Sequence, residues 1–206
     1  MTVTIDSAAA LAIDEAAADV LYRSARTARE WTDAEVSDAD LQAAWDLAKF
    51  GPTAMNTLPL RFAVLRSAES KARLSALMPD GNKERVESSP VTLVLAYDPD
   101  FHEQMDTLFP VAPGMREQLA PAAERRAGMA AMNAHLQTGY LLLALRAAGL
   151  AVGPMQAADY DAVAEEFFAG TGFVPFLVVN AGHAEGDGTP YPRLPRLGYS
   201  EVALER

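Results

Sequence analysis

The order of apolar and polar residues predicts helices and strands that follow one another irregularly along the chain. Apolar residues at spacings of three and four indicate helices, and short uninterrupted apolar runs indicate buried strands. Helices are predicted at 8–24, 69–77, 121–148 and 161–168, and a further helix begins after the N-cap Ser37 and stops at Gly51-Pro52. Strands are predicted at 61–66, 91–97 and 173–180. Because these elements do not form regular βα units, the sequence predicts an α+β fold, in a single domain over residues 1–206.

Two of these segments have distinctive patterns. Strand 91–97 (VTLVLAY) is one continuous apolar run, so we expect it in the middle of the sheet. Helix 121–148 is apolar on nearly every side, which suits burial between a sheet and another subunit. One of its faces is a stripe of Met129, Met132, Leu136, Tyr140, Leu143 and Ala147. The two methionines are predicted to be core residues rather than part of a cofactor site.

Composition excludes several classes of protein. Half of the 206 residues are apolar and none is cysteine, which excludes thiolate catalysis and disulfides. The net charge of −11 repels nucleic acid and anionic lipid, and no apolar run is long enough to span a bilayer. We therefore expect a cytoplasmic protein that binds neither nucleic acid nor membrane. Its histidines are not at metal-ligand spacing, so no metal site is expected, and it has no GxGxxG, GxxxxGK[ST] or GxSxG motif.

Three segments have residues suited to a planar, phosphorylated cofactor. In 26–31 (RTAREW), two arginines three residues apart can converge on one phosphate. In 51–59 (GPTAMNTLP), two prolines stiffen a loop in which Asn56 offers a donor and an acceptor. In 193–197 (RLPRL), a proline separates two more arginines. Taken singly, 26–31 also fits a solvated pair of surface arginines, 51–59 a stiff connector, and 193–197 a solubilising tail.

Taken together and in this order, the three segments resemble the nitroreductase superfamily. Its members have an amino-terminal R-[ST]-x-R-x-[FW], a loop like [AG]-P-[ST]-x-x-N-x-x-P and a basic carboxyl-terminal phosphate segment. The similarity is greater to the malonic semialdehyde reductase branch, since 51–53 (GPT), 153–155 (GPM) and 193–197 (RLPRL) resemble motifs of that branch. Many relatives have Ser-Ser or Ser-Ala where this chain has Thr53-Ala54, and a glutamine where it has Leu58. The contact of that glutamine with the flavin or the substrate is therefore not expected here.

The resemblance implies an FMN-binding fold with a central, mostly antiparallel sheet flanked by helices, in an intertwined homodimer. It assigns the phosphate to Arg26, Thr27, Arg29, Arg193 and Arg196. It places Asn82 and Arg85 near the ribityl chain or the pyrimidine edge, and Gly153, Pro154 and Met155 at the face or edge of the flavin. Pro52, Thr53 and Asn56 would reach the FMN of the partner subunit.

The resemblance also implies the chemistry of an FMN-dependent NAD(P)H oxidoreductase. NADH or NADPH would deliver a hydride to flavin N5, and a small molecule would then be reduced in the same cleft in a ping-pong cycle, with no catalytic side chain required. The branch implies reduction of malonic semialdehyde, or a related reactive aldehyde, to the hydroxy acid in pyrimidine catabolism. Two alternatives remain open, a broad nitroaromatic or quinone reductase and a non-catalytic flavin-binding protein.

Overall fold

The computed structural model describes residues 11–206 as a four-stranded sheet with helices on both faces. The strands are β1 (Leu60–Leu65), β2 (Val91–Tyr97), β3 (Ala151–Met155) and β4 (Val174–Gly182). The helices are α1 (Glu15–Ala18), α2 (Asp38–Ala48), α3 (Ala68–Ala76), α4 (Asp80–Ser88), α5 (Met105–Leu108), α6 (Met115–Leu119), α7 (Ala123–Ala147), α8 (Tyr160–Phe167) and α9 (Tyr199–Val202). Among these helices, none is long and apolar enough to cross a membrane.

The sheet has the strand order β1-β2-β4-β3, and every neighbouring pair is antiparallel. This confirms the predicted α+β class and the expected antiparallel sheet. The predicted central strand is also confirmed, because β2 is paired on both sides and its first six residues are buried. Continuous burial explains why its sequence does not alternate between apolar and polar residues.

Each face of the sheet packs against a different layer of helices. Leu93 and Leu95 of β2 point to the face covered by α2 and α7, where Ala44 and Leu141 join them in the largest apolar cluster. The alternate residues of the same strand, such as Val94, point to the face covered by α3, α4 and α8. The helices of the second face matter for function because α4 carries Asn82 and Arg85.

Helix α7 matches the helix predicted at 121–148. The prediction that Met129 and Met132 are core residues is wrong in part. Met132 is 58% exposed and Leu136 is 46% exposed, while Met129 is only partly buried. The face on the sheet is formed by smaller and polar residues instead, since Asn133 and Gln137 accept hydrogen bonds from the main-chain N–H groups of Ala54 and Leu60. Met132 and Leu136 therefore face away from the core of their own chain, whereas Met129 and Tyr140 pack against buried apolar clusters.

The amino-terminal helix is shorter than the predicted 8–24. Residues 8–10 lie outside the described residues. Helix α1 begins after Asp14, whose carboxylate accepts a hydrogen bond from Ala17 N at 2.7 Å, as an N-cap does. A turn of π-helix follows at Asp19–Arg23 and ends where Ser24 N donates to the carbonyl of Asp19.

Among the elements that were not predicted, β3 and α4 contribute candidate site residues. Strand β3 (AVGPM) contains a glycine and a proline, which normally disfavour a strand interior. It lies at the end of the strand order, where a proline is tolerated. Helix α4 (DGNKERVES) buries only Val86, so its sequence has no apolar stripe to indicate a helix.

Candidate functional site

The two arginine-bearing segments singled out from the sequence, 26–31 and 193–197, meet around one open cavity of about 630 Å³. All five residues that the resemblance assigned to a phosphate line it: Arg26, Thr27, Arg29, Arg193 and Arg196. The Arg26 guanidinium donates to the carbonyl of Tyr191, and the Arg193 guanidinium donates to that of Ala25 at 3.1 Å. The structure therefore brings together residues that are more than 160 positions apart in the sequence.

Main-chain pairing holds the first arginine pair in place. Thr27 forms a parallel bridge with Val152 at the edge of β3, and Ala28 N donates to the carbonyl of Val152 at 2.9 Å. Arg29 N donates to the carbonyl of Gly188 at 2.7 Å. Segment 26–29 is thus fixed between β3 and the loop that leads to Arg193. The ring of Tyr191 in that loop lies 5.0 Å from the Arg29 guanidinium, within the range of a cation–π interaction.

A fifth arginine of the cavity, Arg146, was not predicted from the sequence. It lies in the last turn of α7 and donates from Nε to the carbonyl of Val20 at 2.8 Å. Burial, and then the charge of Arg193, lowers its pKa. A cation in the last turn of a helix commonly interacts with the helix dipole, so nothing in the sequence marked this arginine as part of a site.

The cavity is strongly positive in a chain of net charge −11. Among the described residues, its wall contains five arginines and no aspartate or glutamate: Arg26, Arg29, Arg146, Arg193 and Arg196. Like charges at this density repel one another unless an anion lies between them. The arrangement is therefore suited to a multiply charged anion such as a phosphate ester.

Asn82 and Arg85 lie together on α4, outside the wall of that cavity. Arg85 Nη1 donates to the Asn82 side-chain oxygen at 2.8 Å. Arg85 Nε and Nη2 are buried and have no hydrogen-bond partner among residues 11–206. Burial, and then the charge of Arg29, lowers the pKa of Arg85. A buried guanidinium with two free donors is costly without a ligand, so this group also indicates a binding role.

Gly153 allows the two regions to approach each other. A Cβ atom at this position would lie 2.5 Å from the carbonyl oxygen of Ala28 and 3.6 Å from Arg85 Nη2. Any larger residue would therefore collide with the main chain that positions Arg26 and Arg29. Of the three predicted residues of β3, Pro154 lines the cavity, whereas Gly153 and Met155 do not.

The predicted loop residues Pro52, Thr53 and Asn56 do not line the arginine cavity of their own chain. Asn56 donates from its side chain to the carbonyl of Leu108 at 2.8 Å, so it does not merely bond its own backbone. Met55, Asn56 and Leu58 have positive φ angles of 52°, 53° and 40°. A left-handed main chain at three non-glycine positions within four residues is strained, and such strain is often found at functional sites.

A family model described as the nitroreductase family matches residues 22–183. The chain belongs to the nitroreductase family. The matched range includes Arg26, Arg29, Arg146 and Gly153 and ends before Arg193 and Arg196. The carboxyl-terminal arginines thus lie beyond the family match but line the same cavity.

Sequence relatives and solved structures support this family assignment. A Streptomyces coelicolor protein provisionally named NADH dehydrogenase/NAD(P)H nitroreductase is 42% identical over 192 residues, which cover 93% of this chain and 97% of that protein. The crystal structure of a nitroreductase family protein from Streptococcus pneumoniae is 25% identical with a TM-score of 0.76, over 90% of this chain and 98% of that one. A provisionally named nitroreductase from Exiguobacterium sibiricum, solved in complex with FMN, is 24% identical with a TM-score of 0.74. The match covers 91% of this chain and 96% of that one. The nitroreductase fold predicted from the sequence is confirmed.

Gly153→Ala in this nitroreductase-family chain is expected to detach segment 26–29 from β3. The new Cβ would meet the Ala28 carbonyl oxygen at 2.5 Å, and a main-chain atom cannot turn aside as a flexible side chain can. We expect amide hydrogen exchange at Ala28 to become at least about tenfold faster. The control is Gly81→Ala in α4, where no heavy atom lies within 4 Å of the added Cβ. Equal protection of Ala28 in both variants would contradict this packing.

Proposed function

We propose that this nitroreductase-family chain is an FMN-dependent NAD(P)H oxidoreductase. The single observation that carries the proposal is the cavity in which five arginines meet without a carboxylate among its described wall residues. Two of the family comparisons support it, since one relative is named for NAD(P)H and one solved neighbour is in complex with FMN. FMN is an aromatic ring system with a phosphate ester, and the cavity offers both cations and apolar wall residues such as Leu142 and Val152.

The residues present fit this cofactor. The phosphate would be held by Arg26, Thr27, Arg29, Arg193 and Arg196, whose guanidinium groups suit bidentate contacts with phosphate oxygens. The two free donors of Arg85 would face the ribityl chain or the pyrimidine edge, together with Asn82. Gly153, Pro154 and Met155 would lie at the face or edge of the flavin, and the missing side chain of Gly153 leaves room for the Ala28 carbonyl beside Arg26 and Arg29.

In this proposal the protein binds and orients, and no side chain is assigned a catalytic role. Bound FMN would supply the two-electron redox chemistry that none of the side chains has. The chain contributes fixed cations that retain the phosphate and a stiff edge strand that sets the position of the flavin. Preorganised charges of this kind need no rearrangement when a ligand binds.

We also propose that the site is completed by a second copy of the chain. Pro52, Thr53 and Asn56 would reach the cofactor of the partner, as the family resemblance implies. The stripe of α7 supports this proposal, because Met132 is exposed in the single chain, and Phe50, beside the loop, is 80% exposed. Exposed apolar groups of this size commonly mark a protein interface.

Malonic semialdehyde, reduced to 3-hydroxypropionate, is the substrate that we propose to test first. It is supported by the GPT, GPM and RLPRL segments at 51–53, 153–155 and 193–197. The names of the relatives favour a second candidate, in which the enzyme reduces nitroaromatic compounds or quinones with the same cofactor. A chain that binds FMN but reduces none of these acceptors would instead be a non-catalytic flavin-binding protein.

Replacing Arg26 and Arg196 together by methionine is expected to weaken FMN binding by about 100-fold, because two charge-assisted hydrogen bonds to the phosphate are lost. Riboflavin, which lacks the phosphate, should bind the variant and the wild type alike. Affinities are measured by quenching of flavin fluorescence. Arg23→Met is the control, since Arg23 lies in the same part of the chain but pairs with Glu15 and Asp19. Unchanged FMN affinity in the double variant would contradict the phosphate assignment.

The two substrate classes are separated by steady-state kinetics with NADPH or NADH as reductant. We expect kcat/KM for malonic semialdehyde to exceed that for a nitroaromatic by at least about tenfold, which corresponds to roughly 1.4 kcal/mol of transition-state stabilisation. The opposite ratio would favour the nitroaromatic or quinone reductase. FMN-loaded protein without turnover on either substrate would favour the non-catalytic alternative.

A further inference from the structure

Helix α4 ends at carbonyl groups that cannot be satisfied within the helix. The carbonyl of Val86 would need the N–H of residue 90, which is a proline and has none. The Ser89 hydroxyl donates to that carbonyl at 3.0 Å instead. Lys71 of α3 donates to the carbonyls of Glu87 and Ser89 at 2.9 and 2.7 Å. Side chains from outside the helix therefore hold its carboxyl-terminal end.

Asn180 of β4 also holds this end of α4, through a hydrogen bond to the main chain of Arg85. Its side-chain N–H donates to the main-chain carbonyl of Arg85, and its side-chain oxygen accepts from the Thr92 hydroxyl at 2.8 Å. The orientation of the amide is thereby set, because only the NH₂ group can face a carbonyl. Asn180 is 1% exposed and Thr92 is fully buried, so no water competes for these bonds.

The sheet register places this contact beside the proposed flavin site. Asn180 is paired with Gly153 of β3 on one side and with Thr92 of β2 on the other. Paired residues point to the same face of a sheet, so all three lie under α4. The Arg85 guanidinium lies over the same row, with Nη2 3.6 Å from the position of a Gly153 Cβ. The main chain and the side-chain tip of Arg85 are thus fixed over one row of the sheet.

We infer that Asn180 is a positioning residue for Arg85. By holding the Arg85 main chain against β4, it fixes where the two unpaired guanidinium nitrogens point. Thr92 supports it by orienting the amide. This inference rests on the proposed function, since it concerns how Arg85 meets FMN. Asn180 is buried and would act through the cation of Arg85, both on the affinity for the flavin and on the reduction potential of the bound flavin.

Lys71 provides the comparison that separates positioning from general support of the helix. It holds the same end of α4 but bonds the carbonyls of Glu87 and Ser89 rather than that of Arg85. If the caps only stabilised the helix, replacing Lys71 would affect flavin binding as much as replacing Asn180. If Asn180 positions Arg85, the two replacements will differ in flavin binding even where they lower thermal stability alike.

The test is a double-mutant cycle between Asn180 and Arg85 in the full chain, read out as Kd for FMN and as the midpoint potential of the bound flavin. We expect Asn180→Leu and Arg85→Met each to raise Kd about tenfold, and the double variant to bind no more weakly than Arg85→Met alone. Both single variants should shift the potential in the negative direction, because a cation near the flavin favours the electron-rich reduced form. Lys71→Met should leave Kd and potential unchanged.

Thr92 supplies a milder pair of variants in case Asn180→Leu does not fold. Thr92→Val removes the hydroxyl and keeps the shape, whereas Thr92→Ser keeps the hydroxyl. We expect Thr92→Val to weaken FMN binding by about threefold and Thr92→Ser to restore it. If the effects of Asn180→Leu and Arg85→Met on Kd multiply in the double variant, the inference is wrong but the proposed function stands. Wild-type affinity for FMN in both Asn180→Leu and Thr92→Val would lead to the same conclusion. A wild-type chain that binds no FMN would overturn the proposed function and the inference with it.

Discussion

The site depends on holding five guanidinium groups around one cavity against their mutual repulsion. Main-chain hydrogen bonds provide the restraint, since segment 27–29 is paired with β3 on one side and with Gly188 on the other. Carbonyl groups of Val20, Ala25 and Tyr191 then accept hydrogen bonds from three of the arginines. An anion between the guanidinium groups would offset their repulsion, and we therefore propose that the cavity binds a phosphate ester.

Gly153 is the point where the two halves of the proposed flavin site meet. A Cβ atom at this position would lie 2.5 Å from the Ala28 carbonyl oxygen, which excludes a larger residue, and 3.6 Å from Arg85 Nη2. The neighbouring strand contributes Asn180, which is paired with Gly153 and bonded to the main chain of Arg85. The edge of the sheet therefore determines the positions both of the arginines that we propose for the phosphate and of the guanidinium on α4.

The sequence predicted those elements whose burial leaves a regular pattern, and it missed those set by tertiary contacts. Strand β2 and helix α7 were found because their apolar runs are long, whereas β3 contains Gly153 and Pro154 and is a strand only because β4 pairs with it. The arginines of 26–29 and 193–196 were identified by motif, and the structure places them around one cavity. That they bind a phosphate stays a prediction. Arg146 was missed because its role depends on where α7 ends relative to Val20. Met132 was misassigned to the core because periodicity alone does not show what a helix face packs against.

The central claim is that this nitroreductase-family chain holds a flavin that NAD(P)H can reduce. The most direct measurement is the visible absorbance spectrum of the protein after reconstitution with FMN and desalting, followed by anaerobic addition of NADH and then of NADPH. We expect a retained flavin spectrum that bleaches with at least one of the two reductants. A colourless protein after desalting, or a bound flavin that neither reductant bleaches, would contradict it.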